Sequence, residues 1–190
     1  MKIAKIISFI FNPSFVLLFA SFVLVNKTSN NSLYAAKWTL ISFVFLGFIF
    51  AYIFRGKSVG FFSNLDVSKR EQRWKLFSIA GITTFLYLLS LMIFNGPKVL
   101  YTATFIICLG LISITILNRF IKTSVHVTTI SAFVFLISIY HGTFYLLSLL
   151  LIPVVCLARI KTGRHTFKEV TAGCILGFIL AVIAFNIKVF

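Results

Sequence analysis

His165 and Glu169 stand four residues apart, a spacing that places both on one face of a helix opening near Thr166. A carboxylate that accepts a hydrogen bond from one imidazole nitrogen fixes the tautomer and raises the basicity of the other nitrogen, as a nucleophilic or general-base histidine requires. Glu169 is one of three acids in the chain, with Asp66 and Glu71, and it is the one placed for this work. The same spacing also fits an unspecialised surface pair at a helix start, where the helix dipole favours a carboxylate.

Ser124 and His126 form a second group, directly before an apolar stretch. Ser124 is suited to cap that helix, and the N–H groups of its first turn can hold an anion. His126 then sits on the first turn, in reach of a bound phosphate, with Lys122 just upstream; the plainer alternative is an interfacial histidine beside an ordinary cap. Arg159 precedes His165 by six residues. A third group, Lys69, Arg70 and Arg73, lies before Trp74, and Arg70 and Arg73 are spaced to grip phosphate oxygens as a fork. That stretch equally fits a basic membrane-surface helix with a Trp anchor.

The elements carrying these residues are apolar. The chain has 190 residues, 60% hydrophobic and 11% charged, with a mean hydropathy of +1.07, which excludes a water-soluble globule. A bilayer crossing takes roughly 20 apolar residues, and runs bounded by charge, Pro or Gly give seven candidates: 7–25, 38–54, 76–94, 99–118, 125–140, 143–158 and 168–187. The expectation is a single transmembrane domain over 1–190, an all-α integral membrane protein with six to seven membrane helices. The first run follows Lys2 and Lys5 as a signal peptide would, but no small-residue cleavage site precedes Asn26, so it reads as a retained helix. Asn12-Pro13 predicts a kink or a re-entrant turn within it, and His141-Gly142 a tight turn between the fifth and sixth runs.

Eighteen Lys and Arg against three acids give a net charge of +15. Magnesium or calcium sites built from clustered carboxylates are nearly excluded, as are proton relays made of several embedded acids. Cys108, Cys156 and Cys174 lie in apolar runs without metal-ligand spacing and read as small buried hydrophobes. No metal or cofactor is expected. Phosphate groups and the anionic headgroups of the bilayer are the expected partners, and nucleic acid is not, because the basic residues are divided among short loops. With seven crossings, fourteen of the eighteen Lys and Arg, two of the three histidines and all three acids converge on one membrane surface. The positive-inside rule makes that surface cytoplasmic.

The order of these groups, an arginine-bearing basic loop, then Ser-x-His at a helix start, then Arg-x5-His-x3-acid at another, resembles the type-2 phosphatidic acid phosphatase superfamily, which shares its helical core with vanadium haloperoxidases. The family pattern is K-x6-R-P, then P-S-G-H, then S-R-x5-H-x3-D. The resemblance covers about residues 66–177, with the core reaching 187 and two helices preceding it in 1–55. Asp66 and Trp74 replace the Lys and Pro of the first motif, Thr123 and Val125 the Pro and Gly of the second, and Ala158 and Glu169 the Ser and Asp of the third.

The resemblance implies metal-independent hydrolysis of a membrane lipid phosphate or diphosphate, such as phosphatidic acid, phosphatidylglycerol phosphate or a polyprenyl diphosphate. In that scheme His165 is the nucleophile, Glu169 orients it and His126 is the general acid. Arg73, Arg159 and Ser124 hold phosphate oxygens. Lys122, Lys69 and Arg70 join them by proximity along the chain. No soluble cap domain is present, and the loop with Phe61-Phe62 is the only candidate lid. The alternatives are an inactive relative that binds anionic lipid, a small transporter, and a structural membrane subunit packed through Gly173-x3-Gly177.

Overall fold

Asn12 and Pro13 break the first apolar run into two helices in the computed structural model, which describes residues 2–141 and 143–187. Helix α1 is Lys2–Ile10 and α2 is Pro13–Ser29, with axes 43° apart. The Asn12 side chain accepts from the Ser14 amide at 3.1 Å, and Pro13 occupies the first helical position, where its missing N–H costs nothing. The remaining helices are α3 (Ser32–Ser58), α4 (Arg73–Ile93), α5 (Lys98–Leu117), α6 (Val125–His141), α7 (Leu151–Lys161) and α8 (Phe167–Asn186). Short 3-10 segments, Arg70–Gln72 and Thr143–Leu150, precede α4 and α7. There is no strand among the described residues, 82% of which are helical.

The helices α3, α4 (with the preceding 3-10 turn), α5 and α8 are long and apolar enough to cross a membrane, and the bent pair α1 and α2 would make a fifth span. Their outward faces carry large apolar side chains, such as Phe48, Phe54, Phe85, Phe105 and Phe178, far beyond what a soluble monomer exposes. This is compatible with a membrane protein. The run expected as one helix over 143–158 is instead a 3-10 segment followed by α7. Pro153 lacks an N–H, and its ring opposes the carbonyl four residues earlier, so it is accommodated in the first turn of α7, and regular α-helical bonding does not extend back from it into 143–150. Gly142, in the expected turn at His141-Gly142, lies outside the described residues, as does Lys188 of the basic-residue count.

Two compact units make up the chain, residues 1–20 with 116–190 and residues 21–115. In the first, α6 and α8 approach closely because α8 presents glycine. A Cβ at Gly173 would stand 2.9 Å from the Ser124 carbonyl oxygen, and one at Gly177 would stand 2.6 Å from both the Thr128 carbonyl oxygen and Ser131 Cβ. Small residues on both faces let the backbones meet, which is how membrane helices gain packing without hydrophobic drive. Val127, Ile130 and Val134 of α6, Ile152 and Val155 of α7, Val170 of α8 and Val16 of α2 form the apolar core beside this seam.

In the second unit, α3 and α4 are joined by a partly buried polar contact. Ser42 Oγ lies 2.8 Å from Tyr87 Oη and 3.1 Å from Ser21 Oγ of α2, while also donating to the Trp38 carbonyl. Hydroxyls bonded across helices in this way satisfy groups that hydrocarbon would leave stranded. The loop after α3 is pinned rather than free. Phe62 is buried against Gly56, where its ring leaves no room for a Cβ, and Lys75 Nζ sits 3.5 Å from the Phe61 ring centroid. Of the candidate lid at Phe61-Phe62, Phe62 is thus packed within its own unit, while Phe61 is 40% exposed.

Candidate active site at the start of α8

The Thr162–Thr166 connection sets the geometry of His165. After α7, Gly163 adopts a φ of +67°, the left-handed conformation that ends helices cheaply only at glycine. The turn brings the Arg164 and His165 amides back to one acceptor, the Arg159 carbonyl, at 3.1 and 3.3 Å. His165 is thereby fixed to the last turn of α7 and is 6% exposed.

Helix α8 then opens with a capping box. Thr166 Oγ1 accepts from the Glu169 amide at 3.4 Å, and Glu169 Oε2 accepts from the Thr166 amide at 3.2 Å, satisfying two donors that a helix start leaves open. The same Oε2 lies 2.8 Å from His165 Nδ1. With Nδ1–H donating to the carboxylate, Nε2 is the nitrogen that carries the lone pair. Lys122 Nζ stands 3.9 Å from Glu169 Oε2, so this lysine, placed among the phosphate ligands from sequence, faces the carboxylate that holds the histidine.

Ser124, the residue before α6, joins the same cluster. Its amide donates to the Glu169 carbonyl at 3.3 Å, and its hydroxyl accepts from the Val127 amide at 3.5 Å, the cap expected from sequence. Val125, where the family pattern has Gly, starts α6 with ordinary negative φ, since the positive-φ non-glycine residues are Asn30, Val67 and Asn95. The helix needs no open glycine turn there. His126 lies in the first turn of α6, 7% exposed.

Arg159 is 2% exposed and donates from Nη1 to Ser8 Oγ of α1 at 2.6 Å. Nothing in the spacing pointed to Ser8, which is 151 residues away along the chain. Lys122, Ser124, Arg159, His165 and Glu169 are thus linked by direct contacts within one unit, and His126 follows two residues after Ser124.

Lys69, Arg70 and Arg73 belong to the other unit. Lys69 is exposed and Arg70 half-buried at the 3-10 turn, whereas Arg73 is 4% exposed and its Nε donates to the Val67 carbonyl at 3.4 Å. Val67 is fully buried with a φ of +44°, a conformation a β-branched residue holds only under restraint. Arg73 supplies part of that restraint. Among the described residues no group of three His, Cys, Asp or Glu is gathered as metal ligands. The three cysteines are free and half-buried, less enclosed than their apolar surroundings suggested.

Comparison of the chain with protein-family models, with curated proteins and with solved structures finds no match.

Proposed function

We propose that this chain hydrolyses a membrane lipid phosphate or diphosphate through a phosphohistidine intermediate, as its resemblance to the type-2 phosphatidic acid phosphatases implies. The observation that carries the reading is the 2.8 Å contact between His165 Nδ1 and Glu169 Oε2, made by a buried histidine beside a buried arginine. Burial matters because a hydrogen bond to a charged group gains strength out of water.

His165 Nε2 attacks phosphorus, forming a P–N bond as the bond to the leaving oxygen breaks. That oxygen takes a proton from His126. Water then attacks the phosphohistidine, its proton passes to His126, the P–N bond breaks and inorganic phosphate departs. Glu169 stabilises the imidazolium that forms on His165, and Arg159 and Ser124 offset charge developing on the phosphoryl oxygens. This scheme runs on cationic side chains without a metal ion.

The reading includes six to seven crossings built on a phosphatase-type helical core, with α1 and α2, α6, and the 3-10 segment with α7 added to the long helices. The protein resides in the cell membrane with the site on the cytoplasmic side, in keeping with the basic loops. The substrate keeps its tail in lipid and presents its phosphate at the helix ends.

The test is phosphate release by purified protein from phosphatidic acid, phosphatidylglycerol phosphate and polyprenyl diphosphates, with and without chelator. Release that survives chelation and is lost in His165→Ala supports the reading. Binding of these lipids without release identifies an inactive lipid-binding relative. Release that persists in His165→Ala, or that depends strictly on added metal, overturns the mechanism.

A further inference from the structure

Ser8 lies in α1 with Ala4 one turn before it, and both are buried, whereas Lys2, Ile3, Lys5, Ile6 and Phe9 on the same helix are exposed. The small side chains bring α1 against α7, which is what allows a residue so near the N-terminus to reach Arg159. Ser8 Oγ spends a lone pair on Arg159 Nη1 at 2.6 Å. A serine hydroxyl that accepts from a guanidinium still has its own proton to place. Among the described residues the hydroxyl has no second hydrogen-bond partner, and Ser8 is only 9% exposed. A buried donor without an acceptor forfeits its hydrogen bond to water and calls for a partner.

We propose that Ser8 is a phosphate-binding residue: its hydroxyl donates to an oxygen of a phosphate group seated against Arg159. An anion beside Arg159 would face the charge of the guanidinium and accept the proton of the Ser8 hydroxyl. The bent N-terminal helix is then part of the binding site rather than an anchor only. The proposal rests on the lipid phosphatase reading for its substrate, a phosphomonoester headgroup, but the shared chemistry is that of any phosphate monoanion or dianion.

The experiment measures calorimetric binding of inorganic phosphate and of a short-chain phosphatidic acid to the full-length protein in detergent, beside phosphate release from the lipid. The variants are Ser8→Ala, Ser8→Thr and Arg159→Ala with and without Ser8→Ala. Alanine and threonine are both tolerated in a helix, and circular dichroism confirms that each variant remains folded. Ser8→Ala is expected to weaken phosphate binding and raise KM about tenfold, the scale of one charge-assisted hydrogen bond, with a smaller change in kcat. Ser8→Thr restores both, and Ser8→Ala adds nothing in the Arg159→Ala background.

Equal losses for inorganic phosphate and lipid identify the phosphate group as what Ser8 binds; a loss for the lipid alone identifies the intact headgroup. Binding and KM unchanged in Ser8→Ala overturn the proposal while leaving the phosphatase reading standing. Phosphate binding that depends on Ser8 in a protein that releases no phosphate from any lipid overturns the enzyme reading and keeps the site. A wild-type protein that binds neither ligand overturns both.

Discussion

His165 Nδ1 and Glu169 Oε2 are 2.8 Å apart across one helical turn, and that carboxylate oxygen also accepts the Thr166 amide. Replacing Glu169 by Gln keeps the cap's shape but removes the charge that supports an imidazolium. Single-turnover phosphate release is expected to slow by about a hundredfold or more, within the range of a positioned acid–base group. Glu169→Asp retains the charge on a shorter arm, and its activity should lie between the two. A Gln variant as fast as wild type would show that the carboxylate serves the helix start alone.

Arg159 and Lys122 should respond differently to removal. Arg159 is buried and bonded to Ser8, so Arg159→Lys, which keeps charge but not the planar fork, is expected to lose most of the catalytic efficiency along with Arg159→Ala. Lys122 is partly exposed and 3.9 Å from Glu169. An ion pair of that kind contributes at most about 1 kcal/mol, so Lys122→Ala is expected to change stability little and kcat/KM less than about tenfold. The comparison is made from kcat/KM on one lipid phosphate.

Gly177 sets the spacing of α6 and α8. Gly177→Val would drive its side chain into Thr128 and Ser131, and overpacking of this kind costs about 1–3 kcal/mol. Thermal unfolding in detergent should occur at lower temperature for Gly177→Val. At Gly47, where an added Cβ meets nothing within 4 Å, alanine should leave the unfolding temperature nearly unchanged.

Arg73 braces the loop between α3 and α4 through the Val67 carbonyl. Arg73→Ala leaves a buried carbonyl without that donor, at a cost of about 1–3 kcal/mol. Faster hydrogen exchange and protease cleavage across residues 59–69 are expected, with α8 unaffected. Unchanged exchange in that loop would mean that Phe62 and the Gln72 contacts with Ser63 hold it unaided.

Sequence periodicity and composition were enough to locate the long helices because hydrocarbon-facing segments are apolar on every side, so α4, α5, α6 and α8 begin and end within a few residues of the apolar runs. The interruption at Asn12-Pro13 was legible for the same reason that Pro is so restrictive. Pro153 was equally visible, but its effect on the preceding segment depends on where the helix starts, which hydropathy does not reveal. The His165 and Glu169 pair followed from helical spacing alone. The partnership of Ser8 with Arg159 did not, because a contact across 151 residues leaves no periodic trace. Adjacency to Ser124 suggested Lys122 as a phosphate ligand, but it carried no sign that its Nζ lies 3.9 Å from the Glu169 carboxylate.

The capping box gives Glu169 two duties on a single oxygen atom. If the first turn of α8 frays, Thr166 loses its acceptor and His165 its carboxylate partner in the same event, so under the proposed mechanism transient local opening of this helix would interrupt turnover without global unfolding. Hydrogen exchange at the Thr166 and Glu169 amides would therefore track the fraction of molecules in which His165 keeps its carboxylate partner.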